Sequence, residues 1–264
     1  MTSTIPLRSS TARGVAYVDA GEGEPLVLIH GVGLRLEAWA PQIVSLAETH
    51  RVIAVDMPGH GASAPIAQGS GLGAFVDWLT AALDDLGLDD VNLAGHSMGA
   101  LIAGGFVATA PSRARRVALV SGVHRRAAAA SSAVRARAAD IAAGKVDTDA
   151  PLSRWFGEDC VGSEPYRLVK SWLASVDIDG YATAYGAFAE GDGTYADGWC
   201  GVTCPALFVT GELDPNSTPQ MSLDLAAAAP QGEACIVAGH RHMVNMTAPE
   251  VVNEALSHWL TRGI

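Results

Sequence analysis

Six short apolar runs punctuate the chain, at residues 26–29, 52–55, 91–94, 117–120, 206–209 and 234–237, and only the third is interrupted, by Asn92. An apolar run without alternation marks a strand buried on both faces, and such strands belong to parallel sheets covered by helices. Between the runs lie segments of helical, amphipathic spacing at 37–49, 72–86, 98–110, 219–229 and 249–260. Strand alternating with helix predicts an α/β fold built on a mostly parallel sheet of about eight strands. Residues 14–20, followed by the turn-rich Gly21-Glu22-Gly23-Glu24-Pro25, predict an antiparallel ribbon leading in.

The alternation stops between His124 and about Asp197. That stretch holds an Ala-rich helix dotted with arginines over 127–143, then Trp155, Phe156, Trp172, Tyr181, Tyr185, Phe188 and Tyr195, with no strand-like run. A helical insertion between two strands of such a sheet lies over its carboxyl edge, where ligands of α/β proteins bind. The expected organisation is one core formed by residues 1–123 and 198–264, with a helical cap, 124–197, inserted into it.

Charge narrows the partners. Lys plus Arg number 17 and Asp plus Glu 28, a net charge of −11, which repels nucleic acid and anionic lipid, so neither is expected as a partner. A small molecule is the expected ligand, and an anionic one needs a local arginine to draw it in. Cys160, Cys200, Cys204 and Cys235 are too few and too irregularly spaced for a disulfide framework or a zinc site. The opening MTSTIPLRSSTARG has no apolar segment of signal-peptide type, and no apolar run reaches the roughly 18 residues that span a bilayer. The expected address is the cytoplasm.

The chemistry begins at Gly95-His96-Ser97-Met98-Gly99, a G-x-S-x-G pentapeptide that follows the run 91–94 and opens a helical pattern. Strand, tight turn and helix in that order form a nucleophile elbow, which presents the serine oxygen above the sheet, and the helix start favours negative charge beside it. Serine is a weak nucleophile without a base, and the base needs a carboxylate to orient it. Asp214, in Thr210-Gly211-Glu212-Leu213-Asp214 after the run 206–209, is the candidate acid, with Glu212 its rival. No acid follows the preceding run, where Ser121-Gly122-Val123 stand. The base comes from Gly239-His240-Arg241-His242-Met243, where both histidines are placed for it.

These pieces resemble the α/β-hydrolase family from about Gly14 to the C-terminus: His30-Gly31-Val32-Gly33, Asp56-Met57-Pro58-Gly59-His60-Gly61, the elbow, Gly211 to Asp214, and His242 with Pro249-Glu250. The resemblance implies Ser97, Asp214 and His242 as the triad, because relatives place the histidine seven residues before a Pro-Glu pair. It implies the backbone N–H groups of Val32 and Met98 as the oxyanion hole, bracing roles for His30 and Asp56, and no cofactor or metal. The cap segments Leu152 to Phe156 and Gly180 to Phe188 resemble those of 3-oxoadipate enol-lactonases, although His96 stands where those enzymes tend to have Leu. That likeness nominates Arg154, Trp155 and Tyr185 as substrate-binding residues, with Arg125 and Arg126 as rival anchors for a substrate carboxylate. The expected activity is hydrolysis of a carboxylic ester or lactone of a small, carboxylate-bearing metabolite. A carbon–carbon bond hydrolase of aromatic degradation, a perhydrolase, and a non-catalytic receptor on the same fold are the alternatives.

Overall fold

The computed structural model describes residues 5–145 and 147–264; the first four residues of the N-terminal stretch, and position 146 within the cap, lie outside them. Eight strands form one sheet: β1 (Ser9–Ser10), β2 (Ala16–Ala20), β3 (Pro25–Ile29), β4 (Arg51–Val55), β5 (Val91–His96), β6 (Ala114–Val120), β7 (Ala206–Gly211) and β8 (Gly232–Val237), in the order β1-β2-β4-β3-β5-β6-β7-β8. The pairings from β4 through β3 to β8 are parallel, whereas β2 pairs antiparallel with both β1 and β4.

The apolar runs feed two cores, because successive side chains of a strand point to opposite faces. Leu26 and Leu28 of β3 pack on one face with Trp39, Ile43 and Trp259, while Val27 and Ile29 pack on the other with Phe75, Phe106 and Phe208. Helices α1 (Ala40–Leu46), the single turn α9 (Val244–Thr247) and, at the C-terminus, α10 (Pro249–Leu260) contribute to the first core. Helices α2 (Leu72–Asp85), α3 (Met98–Thr109) and α8 (Pro219–Ala228) contribute to the second.

Two expectations are corrected. The helix foreseen over 37–49 divides into a 3-10 turn, Leu36–Trp39, and α1, because Pro41 has no N–H to give and is suited to a first turn. The run 234–237 is not buried on both faces. It lies in β8, one of the two edge strands, where Ala234 and Ile236 are exposed and Val237 is buried. Apolar composition reports burial on average and does not say how many neighbours a strand has.

Between β6 and β7 the chain forms α4 (Ala128–Ala142), α5 (Asp149–Phe156), α6 (Glu164–Ala174) and α7 (Ile178–Gly191). Their apolar side chains, Val134, Leu152, Val169, Trp172 and Tyr181 among them, join the second core without a break. No helix among the described residues is long and apolar enough to cross a membrane.

Candidate active site

Ser97 joins β5 to α3 with φ 55° and ψ −110°, a backbone that a residue with a side chain adopts only under constraint. The constraint is steric. A Cβ on Gly95 would lie 2.1 Å from the Gly99 carbonyl oxygen, and one on Gly99 would lie 2.2 Å from that of Ile29, so glycine at 95 lets α3 start against β5 and glycine at 99 lets it start against β3. The Ser97 N–H donates to Val120 O, which leaves the hydroxyl above the carboxyl edge.

Asp214 and His242 reach Ser97 from the turns after β7 and β8. His242 Nε2 lies 3.0 Å from Ser97 Oγ, and His242 Nδ1 lies 2.7 Å from Asp214 Oδ2. With Nδ1 donating to the carboxylate, Nε2 is left bare to accept the serine proton. The other Asp214 oxygen accepts from the N–H groups of Asn216 at 2.8 Å and Ser217 at 3.1 Å. Burial alone would push the Asp214 carboxyl up, but His242 and these N–H donors hold it below the usual carboxylate value. His240 faces elsewhere, its Nδ1 2.9 Å from Thr247 Oγ1. Glu212 accepts from the Gly239 N–H, 2.9 Å away.

The backbone of His242 is held as closely as its ring. Its N–H donates to Trp155 O at the end of α5, 3.1 Å away, and the Trp155 indole stacks on the imidazole with centroids 5.9 Å apart. Its carbonyl accepts from His96 Nε2 at 3.0 Å and Ser121 Oγ at 2.8 Å. Ser121 stands where the sequence shows no acid; what it supplies instead is this hydroxyl donor.

Val32 and Met98 flank the serine. Among the described residues neither of their N–H groups donates to a protein acceptor, the state required of donors reserved for an oxyanion. The loop carrying Val32 is pinned through His30, which donates from Nδ1 to Gly31 O (2.7 Å) and accepts at Nε2 from the Met57 N–H (2.9 Å). The Asp56 carboxylate accepts from the N–H groups of Leu36 (2.8 Å) and Ala62 (3.0 Å).

Ser97, His242 and Val32 open onto a cavity of about 220 Å³ whose other walls come from the cap, with Arg126, Arg137, Arg154, Trp155, Tyr185 and Phe188 among them. Arg126 is buried, stacked over Phe188 at 4.2 Å and paired to Asp192 at 3.2 Å, and its Nη2 has no partner. Arg137 donates from Nε to the Tyr185 hydroxyl at 3.1 Å. Among the described residues, neither Arg137 nor Arg154 has a carboxylate within ion-pair distance. Burial and the neighbouring Arg137 both lower Arg154 from the usual guanidinium value. Arg125, the other rival, points outward and pairs with Asp197. Sequence reasoning passed over Arg137 because an arginine on an Ala-rich helix carries no sign of the face it occupies; it also passed over Ser121 and the use made of His96. Among the described residues no group of three His, Cys, Asp or Glu side chains is placed to hold a metal.

Residues 24–145 match the model of the alpha/beta hydrolase fold. Over 254 residues, 96% of this chain and 97% of the relative, the chain is 48% identical to the (E)-2-((N-methylformamido)methylene)succinate hydrolase of Acinetobacter baylyi. Among solved structures it resembles the enol-lactonase of Burkholderia xenovorans, with a TM-score of 0.87 and 26% identity, over 97% of this chain and 100% of that one. It likewise resembles a malate-bound thermophilic esterase of Thermogutta terrifontis, with a TM-score of 0.87 and 25% identity, over 97% and 98%.

Proposed function

The chain belongs to the alpha/beta hydrolase family and is a hydrolase, and from that premise we propose that it cleaves an activated acyl bond, an enol ester, lactone or enamide, in a small dicarboxylate. One observation carries this reading. The line Asp214, His242, Ser97 ends at a partly open cavity whose lining from the cap includes three arginines, two of them without a carboxylate partner among the described residues. In a chain of net charge −11, cationic heads gathered in one half-buried place are stabilised by a ligand that brings the missing negative charge. The curated relative is named for a substituted succinate and the esterase structure has malate bound; both molecules are dicarboxylates.

In this reading Ser97 Oγ attacks the carbonyl carbon as its proton passes to His242 Nε2, while Asp214 holds the imidazole tautomer and faces the positive charge that develops. The tetrahedral oxyanion lies between the Val32 and Met98 N–H groups, where loss of one donor typically costs about 3 kcal/mol of barrier. Collapse breaks the acyl bond, and the leaving enol or enamine takes the proton back from His242. Water, activated by the same imidazole, then releases the acyl group from Ser97. Arg126, Arg137 and Arg154 place the two carboxylates so that the acyl carbon reaches Ser97.

The test is a panel of dicarboxylates bearing enol ester, lactone or enamide groups, assayed beside their methyl-blocked analogues, with a vinylogous diketone acid to probe carbon–carbon cleavage. The free dicarboxylates should exceed the blocked forms in kcat/KM by about 100-fold or more, since leaving a desolvated charge unpaired typically costs about 2–5 kcal/mol. Arg137→Met and Arg154→Met should each lower kcat/KM for the dicarboxylate by about 30-fold and leave a neutral acetate ester nearly unaffected. Equal efficiency on free and blocked acids would overturn the reading.

A further inference from the structure

His96 occupies the one interior position of the elbow that is neither nucleophile nor oxyanion donor, and it is almost completely buried, at 1% exposure. A buried imidazole is costly unless its polar atoms are used. Here one of them is. Nε2–H donates over 3.0 Å to the carbonyl of His242, a residue 146 positions further along the chain. We propose that His96 is a positioning residue for the base, its Nε2–H setting the place and tilt of the His242 imidazole between Asp214 and Ser97. The inference rests on reading His242 as the base.

The geometry makes a closed ring. Ser97 and His96 are covalent neighbours, and they grip the two ends of one residue: Ser97 Oγ meets His242 Nε2 at 3.0 Å while His96 meets the His242 carbonyl. The base loop cannot slide away from the nucleophile without breaking the His96 bond as well. Ser121 Oγ fills the second lone pair of that carbonyl from the end of the neighbouring strand β6, so the loop is tied to both central strands.

The His96 ring is itself held in one orientation. Gly31 passes so close that a Cβ there would lie 2.9 Å from His96 Nδ1 and 3.1 Å from Ser97 Cβ. Trp39 meets the ring edge-on, with centroids 6.4 Å apart. Because Nε2 donates, Nδ1 is the bare nitrogen, and it has no hydrogen-bond partner. The titratable groups acting on it are His242 and Asp214. Burial and the adjacent His242 push the His96 imidazole down to about 3. It therefore stays neutral at working pH and sets no second positive charge beside the imidazolium that forms on His242.

His96→Leu removes the donor and keeps the bulk; His96→Gln keeps an N–H donor at the same number of bonds from the backbone. With the best acyl substrate, His96→Leu should lower kcat by about ten- to a hundredfold, the penalty of slightly misplaced catalytic groups, with KM within about twofold. The acid limb of its kcat/KM profile should move to lower pH as the Asp214 contact loosens. His96→Gln should recover most of both. Should His96→Leu not fold, His96→Asn, whose amide stops one bond short, provides the same comparison with Gln. A Leu or Asn variant with wild-type kcat and pH profile, beside an inactive His242→Ala, overturns the inference alone. So does a Gln variant that recovers neither. An active His242→Ala instead overturns the assignment of the base.

Discussion

The backbone of Ser97, at φ 55°, is held in a strained conformation by the contact of Gly95 and Gly99 with neighbouring backbone, and the strain lifts the hydroxyl clear of the sheet toward His242. Ser97→Ala fits the same backbone, so it should fold as the wild type does while losing several orders of magnitude in turnover. His242→Ala should lose about as much, since Nε2 has no substitute within reach. His240→Ala should keep most activity, because that ring bonds to Thr247 rather than to Ser97 or Asp214. Steady-state kinetics on the three purified variants, with circular dichroism as the check on folding, decide the matter; a dead His240→Ala beside an active His242→Ala would reverse the roles.

At the scale of elements, the cap holds the His242 backbone through the end of α5. The last carbonyls of a helix lack intrahelical partners, and that of Trp155 is satisfied by the His242 N–H. Gly157 then turns the chain out of the helix at φ 77°, against the Arg241 side chain. Gly162 also has a positive φ, 79°, in open space on the surface. An alanine at either position carries the positive-φ penalty, of order 1 kcal/mol or a few degrees in Tm. Gly157, at ψ 173°, lies in a region open essentially only to glycine, so Gly157→Ala should lose at least as much Tm as Gly162→Ala, and only Gly157→Ala should lower kcat, because only there does the strain reach His242. Equal kcat in the two variants would show that α5 seats the cap without governing the imidazole.

For the whole molecule, buried neutral histidines set the response to acid. Burial pushes His30 well below the usual imidazole value, His60 to about 4 and His96 to about 3. The unfolded chain takes up protons at these positions near pH 6.5 and the folded chain does not. Stability is thus full above about pH 6.5 and falls as pH drops below it, by about 1.4 kcal/mol per pH unit for each group until its folded value is reached. Asp56, raised by burial, opposes this only nearer the carboxylate range. Urea midpoints should be flat between about pH 7 and 8 and fall steeply toward pH 5. An unchanged midpoint across that lower range would mean that the three rings are protonated in the folded state.

The features legible in the residues alone are those set by short-range physics. Apolar runs foretell covered strands because side chains alternate across a sheet, and Gly95, Ser97 and Gly99 foretell the turn because their spacing is the steric requirement itself. The pairing of Asp214 with His242 was approachable from strand order. Other features depend on contacts between residues remote in the chain, which no local period records. That β8 is an edge depends on what β7 leaves uncovered, and Arg137 of α4 meets Arg154 of α5 at one cavity only because the cap folds over the elbow. His96 finds the carbonyl of His242 across 146 residues. The local pattern placed the Ser97 turn, and only the packing of cap on sheet decided which charges and which second donors surround it.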